Sequence, residues 1–160
     1  MKLRELHFTN LEMAEILSAH SPKDLDYVLR QIRNFKRHEI IGPRVVLGKG
    51  VTSPGLFDVA DLCAATLGHY LVAEAGLHYS TVRHIISNFW QEDDAWRYIE
   101  RVISSPWGDS CPLIALLPPS WPSLSSSVCA PVQLRISMKE MLLPVLREAE
   151  SGVYGMRIGK

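Results

Sequence analysis

The stretch SPKDLDYVLRQIRNFKRHEIIGP, residues 21–43, decides the fold because it joins a helix start, an amphipathic helix and a turn. Ser21, Pro22 and Asp24 form the start signal: serine at the N-cap, proline at the first helical position and an acid in the first turn. The spacing predicts a helix from Pro22 to His38, which ends before the glycine and proline at 42–43.

The two faces of this predicted helix differ in chemistry. Apolar residues at three- and four-residue steps make one face: Leu25, Val28, Leu29, Ile32 and Phe35. The opposite face carries side chains able to meet phosphates and base edges in a DNA major groove, namely Tyr27, Arg30, Asn34 and Arg37, with Arg33 at its flank. A solvated helix face normally mixes charge signs, but acids almost vanish here after Asp26. The pattern favours groove binding.

Positive charge is concentrated in and after this helix. The whole chain has 17 Lys and Arg against 17 Asp and Glu, yet residues 30–49 hold six basic residues and one acid, a local charge of +5. The rest of the chain carries the balancing −5. A basic patch of this kind is what contacts with a phosphate backbone require.

The segments on either side complete a two-helix unit with a hairpin. Thr9 and Glu12 have the spacing of a capping box and predict a helix before residue 20. After residue 43, Val45 to Leu47 favour a strand and Gly48-Lys49-Gly50 a turn. We interpret the hairpin, with Arg44 at its base and Lys49 at its tip, as a wing beside a helix-turn-helix; an ordinary surface hairpin is the alternative.

Further helix and strand signals follow along the chain. Asp58 predicts the start of a helix that Gly76 ends, and another helix is expected from about Ser80. In the C-terminal half we expect a helix over residues 92–104, two pairing strands over 113–117 and 132–136, and a helix that Ser137 caps. The last ten residues are expected to form a terminal strand or arm.

The predicted fold class is therefore mainly α with small β elements (α+β). We expect a winged helix-turn-helix domain over residues 1–89 and a small α+β subdomain over residues 90–160. The second part is rich in apolar side chains, which indicates a dimer interface or an effector-binding pocket; simple packing on the first domain is the alternative.

Composition and motifs exclude several classes of protein. At 160 residues and 47% apolar content the chain is long enough to bury a core, and no run approaches the roughly 20 apolar residues of a membrane span. The charged N-terminus does not look like a secretory leader, so we expect a cytoplasmic protein. None of the common phosphate-loop, nucleophile-elbow or zinc-protease motifs occurs. We predict no enzyme, no cofactor and no metal.

Two alternatives for chemistry stay open. Cys111 and Cys129 would be able to hold a soft metal, although a zinc site needs four ligands. A hydrolase built on Ser126 and one of the six scattered histidines is the other.

The chain also resembles the MerR family of winged-helix regulators over about residues 8–89. Its signature Leu-Arg-Tyr-Tyr-Glu-Arg-x-Gly-Leu-Leu, followed by proline, is similar to residues 32–43, IRNFKRHEIIGP. The family's Gly-Phe-Ser-Leu-Glu-Glu-Ile pattern is similar in spacing to residues 76–86, GLHYSTVRHII. Glu39 stands where the family has glycine, and the short helix at 92–104 differs from the family's long coiled coil.

The resemblance implies a bacterial or phage-type transcriptional regulator that binds double-stranded DNA. Arg33 then takes the place of the family's recognition-helix arginine, and Lys49 lies in the wing. The expected DNA contacts are Tyr27, Arg30, Arg33, Asn34, Arg37, Arg44 and Lys49, in a homodimer. The alternative is an interaction adaptor in which the winged helix binds no DNA and the apolar C-terminal half docks a protein of the transcription machinery.

Overall fold

The computed structural model describes residues 3–47, 54–90, 92–104, 112–117 and 132–157. In these residues the helices are α1 (Asn10–Ala19), α2 (Leu25–Arg37), α3 (Val59–Ala73), α4 (Tyr79–Phe89), α5 (Glu92–Ser104) and α6 (Met138–Glu150). The strands are β1 (Leu6–Phe8), β2 (Val45–Val46), β3 (Gly55–Asp58), β4 (Pro112–Leu117), β5 (Val132–Ser137) and β6 (Met156–Arg157). The architecture is thus mainly helical with small β elements, an α+β fold.

Two antiparallel sheets accompany the helices. The first has the strand order β2-β3-β1-β6, with Phe8 opposite Phe57 and His7 opposite Met156. The second pairs β4 with β5 from Pro112 opposite Ser137 to Leu117 opposite Val132. The predicted pairing of two C-terminal strands and the predicted terminal strand are confirmed. Strand β1 was not predicted, because three residues are too few to show an alternating pattern.

Local caps explain where three of the helices begin. The capping box before α1 is confirmed: Glu12 N–H donates to Thr9 Oγ1 at 3.2 Å, and Thr9 N–H donates to Glu12 Oε2 at 2.8 Å. Asp58 caps α3 by accepting from Asp61 N–H at 2.8 Å, and Ser137 caps α6 by accepting from the N–H of Glu140. Each cap satisfies a backbone donor that has no partner within its helix.

The start of α2 differs from the prediction. Asp24 is the N-cap, with its Oδ1 accepting from Tyr27 N–H at 2.7 Å, so the helix begins at Leu25 and not at Pro22. Ser21, the predicted cap, has another partner: its hydroxyl bonds to the ring of His69 on α3. The contact of Ser21 with a residue 48 positions away is not indicated by the local sequence pattern. Leu25, predicted to be inward-facing, is 37% exposed.

Helix α3 lies at the centre of the core. Most of its side chains are buried, and it packs against α2, α4, α5 and α6. The same cluster of buried side chains includes Phe8, Met13, Phe35 and, from α6, Leu142. Helix α6 also packs on α1 and α5, and β6 pairs with β1, so two C-terminal elements return to the N-terminal ones. The division of the chain at residue 89 stays a prediction.

Candidate nucleic-acid interface

Helix α2 has one buried face and one basic face. Val28, Gln31, Ile32 and Phe35 are buried. On the opposite side Arg30, Arg33 and Arg37 follow one another at steps of three and four residues, and Lys36 lies beside them. All four side chains are exposed; we call this set, Arg30, Arg33, Lys36 and Arg37, the basic face.

The charges of the basic face are not compensated within the described part of the chain. Ion pairs are found at Arg4, Arg44 and Arg83, but none of the four basic-face residues forms one with a described residue. Asp26, exposed one turn before Arg30, is the acid on this side of the helix. Like charges three and four residues apart repel, so this face presents an unrelieved positive potential to solvent.

Tyr27 and Asn34 lie on a flank of α2 and are half-buried. The Tyr27 ring meets the His69 ring edge-on at 6.4 Å between centroids, and the Lys23 ammonium lies 5.5 Å from its centre. Asn34 Nδ2 donates to the Tyr79 hydroxyl at 3.4 Å. Arg33, predicted at the flank, lies instead on the exposed side. The two flank side chains are turned toward α3 and α4, and their contact with DNA stays a prediction.

Arg44 joins the hairpin to the N-terminus of α3. Its Nε lies 3.6 Å from Asp58 Oδ2 and 3.3 Å from Asp61 Oδ2, and the Arg44 side chain is 42% exposed. A phosphate would therefore have to compete with two carboxylates for this guanidinium. Lys49 lies outside the described residues, as does the predicted turn at 48–50.

Asp61 is a buried carboxyl with a strongly shifted titration. Burial is the main cause, the neighbouring charge of Asp58 adds to it, and Arg44 offsets them in part; together they raise the pKa of Asp61 to about 7. Its Oδ1 accepts a long hydrogen bond of 3.5 Å from Gly42 N–H. The link between the turn after α2 and the start of α3 thus includes a group that titrates near neutral pH.

The C-terminus of α2 is a Schellman motif with a glutamate at the left-handed position. Ile40 N–H donates to Phe35 O at 2.9 Å, Glu39 N–H donates to Lys36 O at 3.1 Å, and Glu39 has φ +55°. This is the position at which the MerR pattern has glycine. The Glu39 carboxylate accepts from the Arg83 guanidinium on α4. The motif turns the chain sharply toward β2.

A buried polar network behind α2 was missed by sequence reasoning, which treated the histidines as scattered. His69 Nδ1–H donates to Gln31 Oε1, and Ser21 Oγ–H donates to His69 Nε2 at 2.7 Å. Burial lowers the pKa of His69, which keeps its ring neutral and able to accept from Ser21. The available signal was one glutamine within the apolar face of α2 and one histidine within the apolar α3.

The described residues offer little for metal or thiol chemistry. They contain no group of three or more His, Cys, Asp and Glu side chains suited to a metal ion. Cys63 is fully buried, and burial raises the pKa of its thiol, so it is protonated. The two chemical alternatives depend on Cys111, Cys129 and Ser126, which lie outside the described residues.

Comparison with known proteins assigns no family. Across the described residues no helix has the length and apolar character needed to cross a membrane. The MerR resemblance rests on the motifs at residues 32–43 and 76–86. Neither a protein-family model nor a curated protein sequence matches this chain.

Proposed function

We propose that the protein is a sequence-specific regulator of transcription that inserts α2 into the major groove of duplex DNA. The observation that carries the proposal is the basic face: four exposed cations on one side of a helix, without ion-pair partners in the described chain. A major groove is wide enough for an α-helix, and its flanking phosphates attract Lys and Arg side chains.

The support behind α2 suits this role. The buried face of α2 packs on α1 and α3, so the helix is held by its back while the basic face projects. Held in this way, Arg30 and Arg33 are proposed to meet base edges, and Lys36 and Arg37 to meet phosphates.

Three features favour a winged helix of MerR-like type. Two successive helices, α1 and α2, are followed by the antiparallel pair β2 and β3, which would form the wing. Glu39 has positive φ at the position where the family has glycine. Arg44 N–H donates to Leu56 O at 2.8 Å, which closes the base of the hairpin next to α2.

We further propose that the protein acts as a cytoplasmic homodimer. Two copies related by a two-fold axis would present two α2 helices to half-sites about 34–36 Å apart, one helical turn of DNA. The C-terminal half is the proposed source of the interface.

The test is a selection of random-sequence duplexes by the purified protein, followed by titration of the enriched duplex and a scrambled one at two salt concentrations. We expect a motif with two half-sites and a steep dependence of affinity on salt. Arg33→Ala/Arg37→Ala is expected to abolish the enrichment. Arg101→Ala/Arg147→Ala removes the same charge from exposed positions on α5 and α6 and is expected to retain it.

Single variants separate the roles within the basic face. Loss of a phosphate contact at Lys36 is expected to weaken all sequences alike and to lower the salt slope by about one. Loss of a base contact at Arg33 is expected to cost about 1–3 kcal/mol at one position of the site. Equal losses on every sequence for Arg30→Ala and Arg33→Ala would refute base reading by these residues.

The second candidate is the interaction adaptor, favoured by exposed apolar residues on the hairpin. Val46 is 55% and Leu47 38% exposed beside α2. If the selection enriches no sequence and binding is weak and sequence-blind, the DNA proposal fails. An adaptor would then retain its partner in Arg33→Ala/Arg37→Ala.

A further inference from the structure

A cavity of about 700 Å³ lies where α1, α3 and α6 meet. It is bounded by the end of α1 and the following turn, by α3, and by the junction of β5 with α6. Its volume falls in the range of about 300–1,000 Å³ typical of sites for small molecules. Leu17, Met141 and Val145 contribute apolar walls.

Polar groups converge on this cavity from the buried network. Ser21 and His69 both line it, and His69 is only 8% exposed. Three hydrogen bonds fix the Ser21 and His69 side chains. Lys23 N–H donates to Ser21 Oγ, Ser21 Oγ–H donates to His69, and His69 Nδ1–H donates to Gln31. A rigid polar floor between apolar walls is the usual composition of a small-molecule site.

Two acidic residues line the cavity. Glu74, at the C-terminal end of α3, and Glu140, in the first turn of α6, both line the cavity and are exposed. Neither carboxylate forms an ion pair with any residue in the described ranges. Among the described residues that line the cavity there is no lysine or arginine, although the charge of Lys23 acts on His69. The half-buried ring of Tyr70 adds an aromatic surface able to contact a cation.

We propose that this cavity binds a small organic cation, an amine or quaternary ammonium group carried on an apolar body. The apolar body packs against Leu17, Met141 and Val145, and the cationic group lies toward Glu74 and Glu140. An anionic ligand would be repelled by the two carboxylates, and a neutral one would leave them unused.

Occupancy has a physical route to α2. His69 and Gln31 connect the cavity floor to the buried face of α2, opposite the basic face. Ligand binding is therefore expected to change the affinity of α2 for DNA, a step that rests on the proposed function. The site itself is tested without DNA, so the two proposals fail separately.

The experiment uses three probes of equal apolar body and different charge: 4-phenylbutylamine, 4-phenylbutan-1-ol and 5-phenylpentanoate. Each is titrated into the full chain by calorimetry at pH 7.5 and low salt. Glu74 and Glu140 are exposed, so each is expected to add only modestly to the binding free energy of a cation. The amine is therefore expected to bind about tenfold more tightly than the alcohol, and the carboxylate probe is expected to show no measurable binding. Equal binding of amine and alcohol, or tighter binding of the carboxylate, would overturn the proposal.

Variants assign the preference to the cavity. Glu74→Gln/Glu140→Gln is expected to bring the amine to the level of the alcohol, since it removes both charges and retains the side-chain size. Glu150→Gln, at the far end of α6 and outside this cavity, is the matched control and is expected to keep the tenfold preference. Retention of the preference in the double variant, or its loss in the control, would show that the cation binds elsewhere. Circular dichroism checks that each variant is folded.

Discussion

Substitution of Asp61 by asparagine tests the electrostatics that join the hairpin to α3. Asp61 is 5% exposed, and its pKa is raised from 3.8 to about 7, chiefly by burial and then by Asp58. The folded state thus binds a proton more tightly than the unfolded state. The free energy of unfolding should therefore fall as pH rises from about 4 to about 7 and level off above that.

The magnitude follows from the two pKa values. A tenfold difference in proton affinity corresponds to about 1.4 kcal/mol, so the gap between 3.8 and about 7 allows up to about 4 kcal/mol. The asparagine side chain carries no proton-dependent charge and retains an oxygen that can accept from Gly42 N–H. Asp61→Asn should therefore be more stable than the wild type at pH 8, by a few kcal/mol at most, and nearly equal to it at pH 4.

The assay is urea unfolding of both proteins at pH 4, 5, 6, 7 and 8. The difference between them is the quantity of interest, because contributions from the other titrating groups cancel in it. Asp26→Asn makes the same chemical change at an exposed position and is the control. A difference between wild type and Asp61→Asn that stays constant from pH 4 to pH 8 would refute the reasoning.

Three further predictions concern α2. Glu39→Gly is expected to raise the free energy of unfolding by about 0.5–1 kcal/mol, since glycine adopts φ +55° without strain. Glu39→Ala loses the same carboxylate and is expected to bring no gain. Urea unfolding of the two variants measures the difference. Asp26→Asn is expected to tighten DNA binding at low salt, as measured by titration, because it removes the acid beside Arg30. Gln31→Leu is expected to cost about 1–3 kcal/mol by leaving His69 Nδ1–H without its acceptor, measured by thermal unfolding.

Each of these has a contrary outcome. Equal stability of Glu39→Gly and Glu39→Ala would show that the left-handed conformation carries no strain. Unchanged or weaker DNA binding by Asp26→Asn would place Asp26 away from the phosphates. A Gln31→Leu variant as stable as the wild type would mean that the His69 hydrogen bond contributes nothing net.

Features governed by neighbours in the sequence were predicted well. The capping box of Thr9 and Glu12 and the Asp58 and Ser137 caps depend on residues within one turn. The same is true of the turn that follows α3, which ends at Ala73 and is followed by Gly76 with φ +67°. The helix periodicity is equally local, so the existence of α2 and the burial of Val28, Ile32 and Phe35 followed from it.

Features governed by distant partners were not predictable in this way. The hydroxyl of Ser21 bonds to His69, 48 residues away, and so leaves the N-cap of α2 to Asp24. Asn34 donates to the Tyr79 hydroxyl across 45 residues. In each case the partner comes from another element, so the local sequence pattern does not indicate it.

The clustering of four cations on one face of α2 is the strongest argument for a polyanion partner. Arg4 is 3.0 Å from Glu100 and Arg83 pairs with Glu39, whereas Arg30, Arg33, Lys36 and Arg37 lie together without an ion pair in the described chain. On α2 the cations repel one another at steps of three and four residues, at a cost of a few tenths of a kcal/mol per pair. Stability alone would favour acids among them. A cluster of mutually repelling cations is expected at a functional surface, where a ligand such as the DNA backbone supplies the missing negative charge.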